Sequence, residues 1–267
     1  MQTSNAETAR QDNEIDLALC RAALYSALAL GFRPPTEQTV DRLVTPESTD
    51  ALADAAAALD AGRTRDLAQA ARAIGSKGTL SVAHLLASYR RLFGHTVRSP
   101  VAPYETEYGA EALFQQPQEL ADLIGFYRAF GLTMNTAEHE RADHVCCEYE
   151  FLCFLSLKEA YALEQGDAAM LEETVKAQRL FLRDHVGRFV PAFAGKLTRE
   201  DGSGFYAALA ELASRFAAWD CARLGVPLGP ESLSLRPATD DRVPMACGGE
   251  TECPLTVDSH RPQKTEI

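Results

Sequence analysis

The sequence predicts an all-α fold, a single-domain helical bundle of about nine to ten helices with an extended C-terminal arm. Helical periodicity dominates from Asp12 to Gly225. No segment alternates apolar and polar residues long enough to make a strand. Glycine and proline punctuate the chain at spacings that suit helices of modest length. Hydrophobic residues at 46% and charged residues at 24% allow a sizeable core over 267 residues.

The elements follow in order. Residues 1–13 are polar and are expected to form a flexible N-terminus. A first helix is predicted over about Asp16 to Leu30, with Leu19, Ala22, Ala23 and Ser26 on one stripe, stopped by Gly31 and Pro34-Pro35. Short helices are predicted near Glu37–Leu43, Thr49–Leu59 and Thr64–Ile74, separated by Pro46, Gly62 and Gly75. A fifth spans about Ser81 to Leu92. The irregular segment GHTVRSPVAPYETEYG follows, and connections this long tend to be functional. Further helices are predicted near Gln118–Phe130, Arg141–Glu164, Asp167–Val186 and Ser203–Leu224, which closes the helical domain, 14–225. Residues 226–267 hold six of the 13 prolines and no helical period, so they are expected to form a tail.

Several function classes are excluded. No apolar run approaches the roughly 20 residues of a membrane span, and MQTSNAETARQDNEID lacks the basic and apolar regions of a secretory signal. A cytoplasmic location without stable membrane insertion is expected. The net charge of -12 disfavours nucleic acid, because a phosphate binder needs a basic footprint. From Arg98 to Glu150 the chain carries ten acids against three bases, the complement of a basic partner. Seven cysteines, Cys20, Cys146, Cys147, Cys153, Cys221, Cys247 and Cys253, do not resemble a disulfide framework.

Chemistry concentrates in the irregular segment and at the start of the longest helix, ERADHVCCEYEFLCFLSLKEAYALEQG. Acids such as Glu138, Glu140 and Asp143 suit a helix N-terminus, which leaves His144 unexplained. Its ring has the ordinary pKa to titrate near neutral pH and modulate binding. Tyr104, Glu105, Glu107 and Tyr108 place aromatic and acidic groups together, with Tyr127, Phe126 and Phe130 as apolar wall. This set suits a ligand that is basic at one end and apolar along its length. The alternative is a helical metal-binding enzyme using Asp143, His144, Cys147 and Glu150. The chain has no E-x-x-H, no C-x-x-C, no G-x-S-x-G and no phosphate loop, so no metal, cofactor or catalytic group is assigned.

Two motifs in series carry a resemblance. YRRLFGHTVRSPVAPYETEYG and ERADHVCCEYEFLCFLSLKEAYA resemble the two signatures of the TorD/DmsD/NarJ family of redox-enzyme maturation chaperones. Thr106 stands where the family usually has Ser, which keeps the hydroxyl. The cysteine-bearing tail is similar to tails in the branch serving type II enzymes of the dimethyl sulfoxide reductase family. The resemblance implies an all-helical protein without turnover that binds the catalytic subunit of a molybdenum enzyme, through its twin-arginine signal peptide, before export. It implies a client-peptide site at Tyr104, Glu105, Thr106, Tyr108, Asp143, His144 and Glu148. Nucleotide binding, suggested for the family, finds no phosphate loop here.

Overall fold

The computed structural model describes residues 2–60, 66–76, 80–94, 99–109, 115–135 and 140–236. Ten α-helices lie within them: α1 Gln2–Phe32, α2 Glu37–Leu43, α3 Pro46–Leu59, α4 Asp66–Gly75, α5 Val82–Phe93, α6 Gln115–Ala129, α7 Val145–Gln165, α8 Ala168–Phe181, α9 Gly187–Asp201 and α10 Phe205–Leu224. A 3-10 turn covers Glu105–Glu107 and a π-turn covers Leu182–Val186. Among the described residues there is no strand, only two isolated β-bridges. The all-α expectation holds.

Local chemistry sets the boundaries. Thr45 caps α3 by accepting from the Ser48 amide, with Pro46 at the first helical position, where its missing N–H has no bond to lose. Gly166 ends α7 in the left-handed region, φ +64°, and Asp167 caps α8 through a 2.9 Å bond from the Met170 amide. Gly225 ends α10 in the same way.

α1 packs along α7 and α9 along α10, while α3 pairs with α4, and α4 and α8 lean on α10 and α7. The core holds an aromatic cluster of Phe126, Tyr127, Phe151 and Phe181, with Phe151 and Phe181 centroids 4.8 Å apart. A buried polar belt ties four helices across it. Arg21 of α1 pairs with Glu159 of α7 at 2.7 Å, and Gln178 of α8 donates to Glu159 at 2.8 Å. Arg223 of α10 donates to Gln178, and Tyr25 donates to Asp220 at 2.6 Å. Burying these charges is tolerable because each has a partner.

Four boundaries differ from the sequence expectations. α1 begins at Gln2, so the segment expected to be flexible is helical along its backbone. Ala9–Phe32 is also long and apolar enough to cross a membrane, against the expectation that no run approaches that length. Of its most apolar window 56% is buried inside the protein, as in a core helix. α7 starts at Val145 rather than Arg141, because the preceding turn is held by the 104–108 loop.

The third difference is α9, where no helix was expected and where Gly187, Pro191 and Gly195 oppose one locally. Phe189, Val190, Phe193 and Leu197 are fully buried, and that burial overrides propensity. The fourth follows from it. Pro191 has no N–H to give the Gly187 carbonyl, which accepts instead from the Gly229 amide at 2.8 Å. That bond begins a strap, 226–236, packed on the bundle where a tail was expected. Positions 237–267, with Cys247 and Cys253, lie outside the described residues, as does Glu138.

Candidate functional site

The strap, the 104–108 loop and the start of α7 meet at one place. The loop joins α7 through a backbone bridge between Tyr104 and His144. The Glu105 amide donates to the Asp143 carbonyl, and the Val145 amide to the Pro103 carbonyl, both at 2.9 Å. Side chains complete the seam. Asp143 Oδ2 accepts from the Thr106 hydroxyl at 2.7 Å and from Arg141 Nη2 at 2.8 Å, while Oδ1 accepts from Arg141 Nε at 3.0 Å. The Arg141 guanidinium also lies 4.4 Å from the Tyr104 ring centroid, a cation–π contact.

His144 is the N-cap of α7. Its Nδ1 accepts from the Cys146 amide at 3.2 Å, the task that Ser or Asp usually performs. The ring is 1% exposed and packs edge-on to Tyr104 at 5.2 Å. Burial first, then the charges of Arg141 and Arg33, lowers its pKa to about 3. His144 is therefore neutral near pH 7, and the expected titration there is corrected.

Behind the seam lies a second buried set. Glu105, fully buried, accepts from Arg188 Nη2 at 2.5 Å and lies 2.9 Å from His185 Nδ1. The π-turn and the start of α9 supply both partners, so one irregular turn aims two side chains at one carboxylate. His185 Nε2 lies 3.3 Å from Asp122 Oδ2, close but off the line of a hydrogen bond. Glu148 is also fully buried, and neither of its oxygens has a hydrogen-bond partner among the described residues. Burial first, then Glu105 and Asp143, pushes its pKa well above the ordinary 4.5, which favours the neutral acid over the carboxylate.

The strap closes the loop from the other side. Tyr108 bridges Leu235, the Gly109 amide donates to the Ser234 carbonyl at 2.9 Å, and the Arg236 amide to the Glu107 carbonyl at 2.8 Å. Arg236 Nη2 reaches both oxygens of Glu119, at 3.0 and 3.1 Å.

Beside the seam an open groove of about 640 Å³ runs between the end of α1, α6, residues 132–135 and the first turns of α7. Tyr127, Leu132, Met134, Phe151 and Phe154 line it with apolar surface, and Glu140 and Glu150 add carboxylates. Arg33 pairs with Glu150, and Tyr104 hydrogen-bonds Glu140, linking the loop to the groove.

The structure thus brings all seven expected site residues together. Glu105, Thr106, Tyr108, Asp143, His144 and Glu148 are buried, bracing loop against helix, and Tyr104 alone is half-exposed. Sequence reasoning missed Arg141, Glu119, His185, Arg188 and Arg236. Arg141 lay inside the quoted motif, two residues from Asp143. The others come from 14 to 131 positions beyond Glu105, and no local pattern marks them.

The metal-binding alternative finds no geometry. Asp143 is engaged by Thr106 and Arg141, His144 Nδ1 by the helix cap, and Glu150 by Arg33. Among the described residues no group of three or more His, Cys, Asp or Glu could hold a metal ion. A hydrogen bond with Cys147, then burial, pushes the Cys146 thiol well above its ordinary 9.0, so it is no ready nucleophile.

Comparison with known proteins agrees. A family model described as nitrate reductase delta subunit matches residues 56–195, more than half of the chain. The perchlorate reductase assembly chaperone protein of Dechloromonas aromatica (strain RCB) is 29% identical over 221 residues, covering 81% of this chain and 94% of that protein. Chaperone protein TorD of Vibrio cholerae serotype O1 is 28% identical over 204 residues, covering 75% and 90%. The selenate reductase assembly chaperone protein of Thauera selenatis is 34% identical over 84 residues, covering 32% and 42%. The chain belongs to the nitrate reductase delta subunit family, the TorD-like assembly chaperones, and is not an enzyme.

Proposed function

We propose that this protein is a cytoplasmic chaperone for the catalytic subunit of a molybdenum oxidoreductase of the dimethyl sulfoxide reductase family. It binds that subunit before export, through its twin-arginine signal peptide, while the cofactor is inserted. The observation that carries the reading is the groove beside α7, apolar along Leu132, Met134, Phe151 and Phe154, with Glu140 and the Arg33–Glu150 ion pair in its lining. An apolar peptide stretch buries surface there at about 25 cal/mol per Å², and a basic end meets the Glu140 carboxylate in a charge-assisted bond. Tyr104 contacts the client, and the six buried signature residues act on it by positioning the loop. The relatives named as perchlorate and selenate reductase assembly chaperones, beside the one named chaperone protein TorD, support a client of this class.

The test is capture from the native cytoplasm with tagged wild type and a Met134→Asp/Phe154→Asp variant. Both side chains are half-buried groove walls, so the variant should fold. Wild type should retain one large molybdoenzyme subunit and the folded variant should lose it. Retention by both would move the site elsewhere, and retention by neither would sink the reading.

A further inference from the structure

Arg236 is an arginine on an extended segment, seated against the same signature loop. We infer that the strap is a self-ligand: Ser234–Arg236 occupies a docking edge suited to an arginine-bearing extended peptide, and the client competes with it. This deepens the chaperone reading and rests on it.

The backbone contacts are those of strand addition. The Gly109 amide and the Glu107 carbonyl are bonded by Ser234 and Arg236 at 2.9 and 2.8 Å. Such contacts are made by main chain, so any extended segment can replace the occupant. Side-chain selectivity comes from the cradle beneath. Glu119 takes the guanidinium with both oxygens, and Gly109 leaves room for it, since a Cβ there would sit 3.1 Å from Arg236 Nη2. Gly109 also has φ +128°, which other residues rarely adopt. The cradle is not empty of other cations, because Arg188 Nη2 lies 3.7 Å from Glu119.

The occupant fits incompletely. The Arg236 side chain is 6% exposed, yet its Nε and Nη1 are buried without a hydrogen-bond partner among the described residues. A guanidinium carries five donors, and unpaired buried donors forfeit their hydration. An arginine held this way is displaceable by one that satisfies more of its donors. The strap's upstream anchor, Gly229 on Gly187, is a single backbone bond. Leu233 and Leu235 of the strap also pack against the core, so release at Arg236 would expose them along with the edge.

The experiment uses the full chain and a fluorescent synthetic peptide with two consecutive arginines followed by about ten apolar residues. A control peptide has both arginines replaced by alanine. Arg236→Ala should bind the arginine peptide about tenfold more tightly than wild type, the effect of losing a charge-assisted competitor. Adding Glu119→Gln should abolish that gain, and the control peptide should show none. In wild type, saturating peptide should speed amide hydrogen exchange across 232–236, a readout that needs no variant. Equal affinity of wild type and Arg236→Ala, with unchanged exchange, would overturn the self-ligand while leaving the chaperone reading intact. Binding by neither protein would also overturn it, and the capture experiment then decides the wider reading separately.

Discussion

Asp143 and Glu148 lie five positions apart, both fully buried, and differ in their hydrogen bonding. Asp143 accepts from three donors on two side chains. Glu148 has none among the described residues, and burial favours its neutral form. Because the folded pKa of Glu148 is raised above its ordinary 4.5, its contribution is present below pH 4.5 and declines as pH rises through the folded value. Glu148→Gln should therefore be more stable than wild type at pH 8, with the gap closing toward pH 4.5, in thermal melts across that range. Parallel melting curves would sink the assignment. His144 works in the other direction. Its pKa is lowered to about 3 from 6.5, so its contribution is present above pH 6.5 and lost as pH falls through the folded value. His144→Asn, which keeps a capping acceptor, should flatten the acid limb of the same melts. Thr106 is a third case, since its hydroxyl donates to Asp143 at 2.7 Å. Thr106→Ser should be tolerated within about 0.5 kcal/mol. Thr106→Val should lose about 1–2 kcal/mol in denaturant unfolding.

At the scale of elements, the turn from α8 into α9 sets the site. The π-turn redirects His185 and Arg188 onto Glu105, and Pro191 leaves the Gly187 carbonyl for the strap. Gly187 is required for space rather than conformation. A Cβ there would stand 2.3 Å from the Leu182 carbonyl oxygen and 2.7 Å from Cys221 Sγ, at an ordinary helical φ of -65°. Gly187→Ala should destabilise the protein by about 1–3 kcal/mol, as overpacking does. Hydrogen exchange should quicken in 226–236 as well as in α9. Exchange confined to α9 would show that the strap does not depend on this turn.

For the whole molecule, charge governs encounter. A net charge of -12, with ten acids against three bases between Arg98 and Glu150, attracts a basic peptide from beyond contact distance. The association rate of an arginine-bearing client peptide should fall steeply between about 0.01 and 0.15 M ionic strength, where the Debye length shrinks from about 30 to 8 Å. If the client sits in the proposed apolar groove, the dissociation rate should change far less. Stopped-flow measurements at several salt concentrations separate the two, and a salt-independent association rate would remove charge steering from the account.

The sequence by itself determined the helical class, most helix boundaries to within a few residues, and the two motifs that form the site. Periodicity, caps such as Asp167 and stops such as Gly166 and Gly225 are local properties, written in neighbouring residues. It also brought forward the seven residues that cluster there. Tertiary structure alone decided what they do. Whether Glu105 faces solvent or His185 and Arg188 depends on a partner 80 positions away, and whether His144 titrates depends on burial that periodicity does not report. α9 was hidden for the same reason: Pro191 and two glycines oppose a helix locally, while buried Phe189 and Phe193 and a distant Gly229 amide sustain it. The strap was hidden too, because an extended segment has no period of its own and is ordered only by the edge it meets.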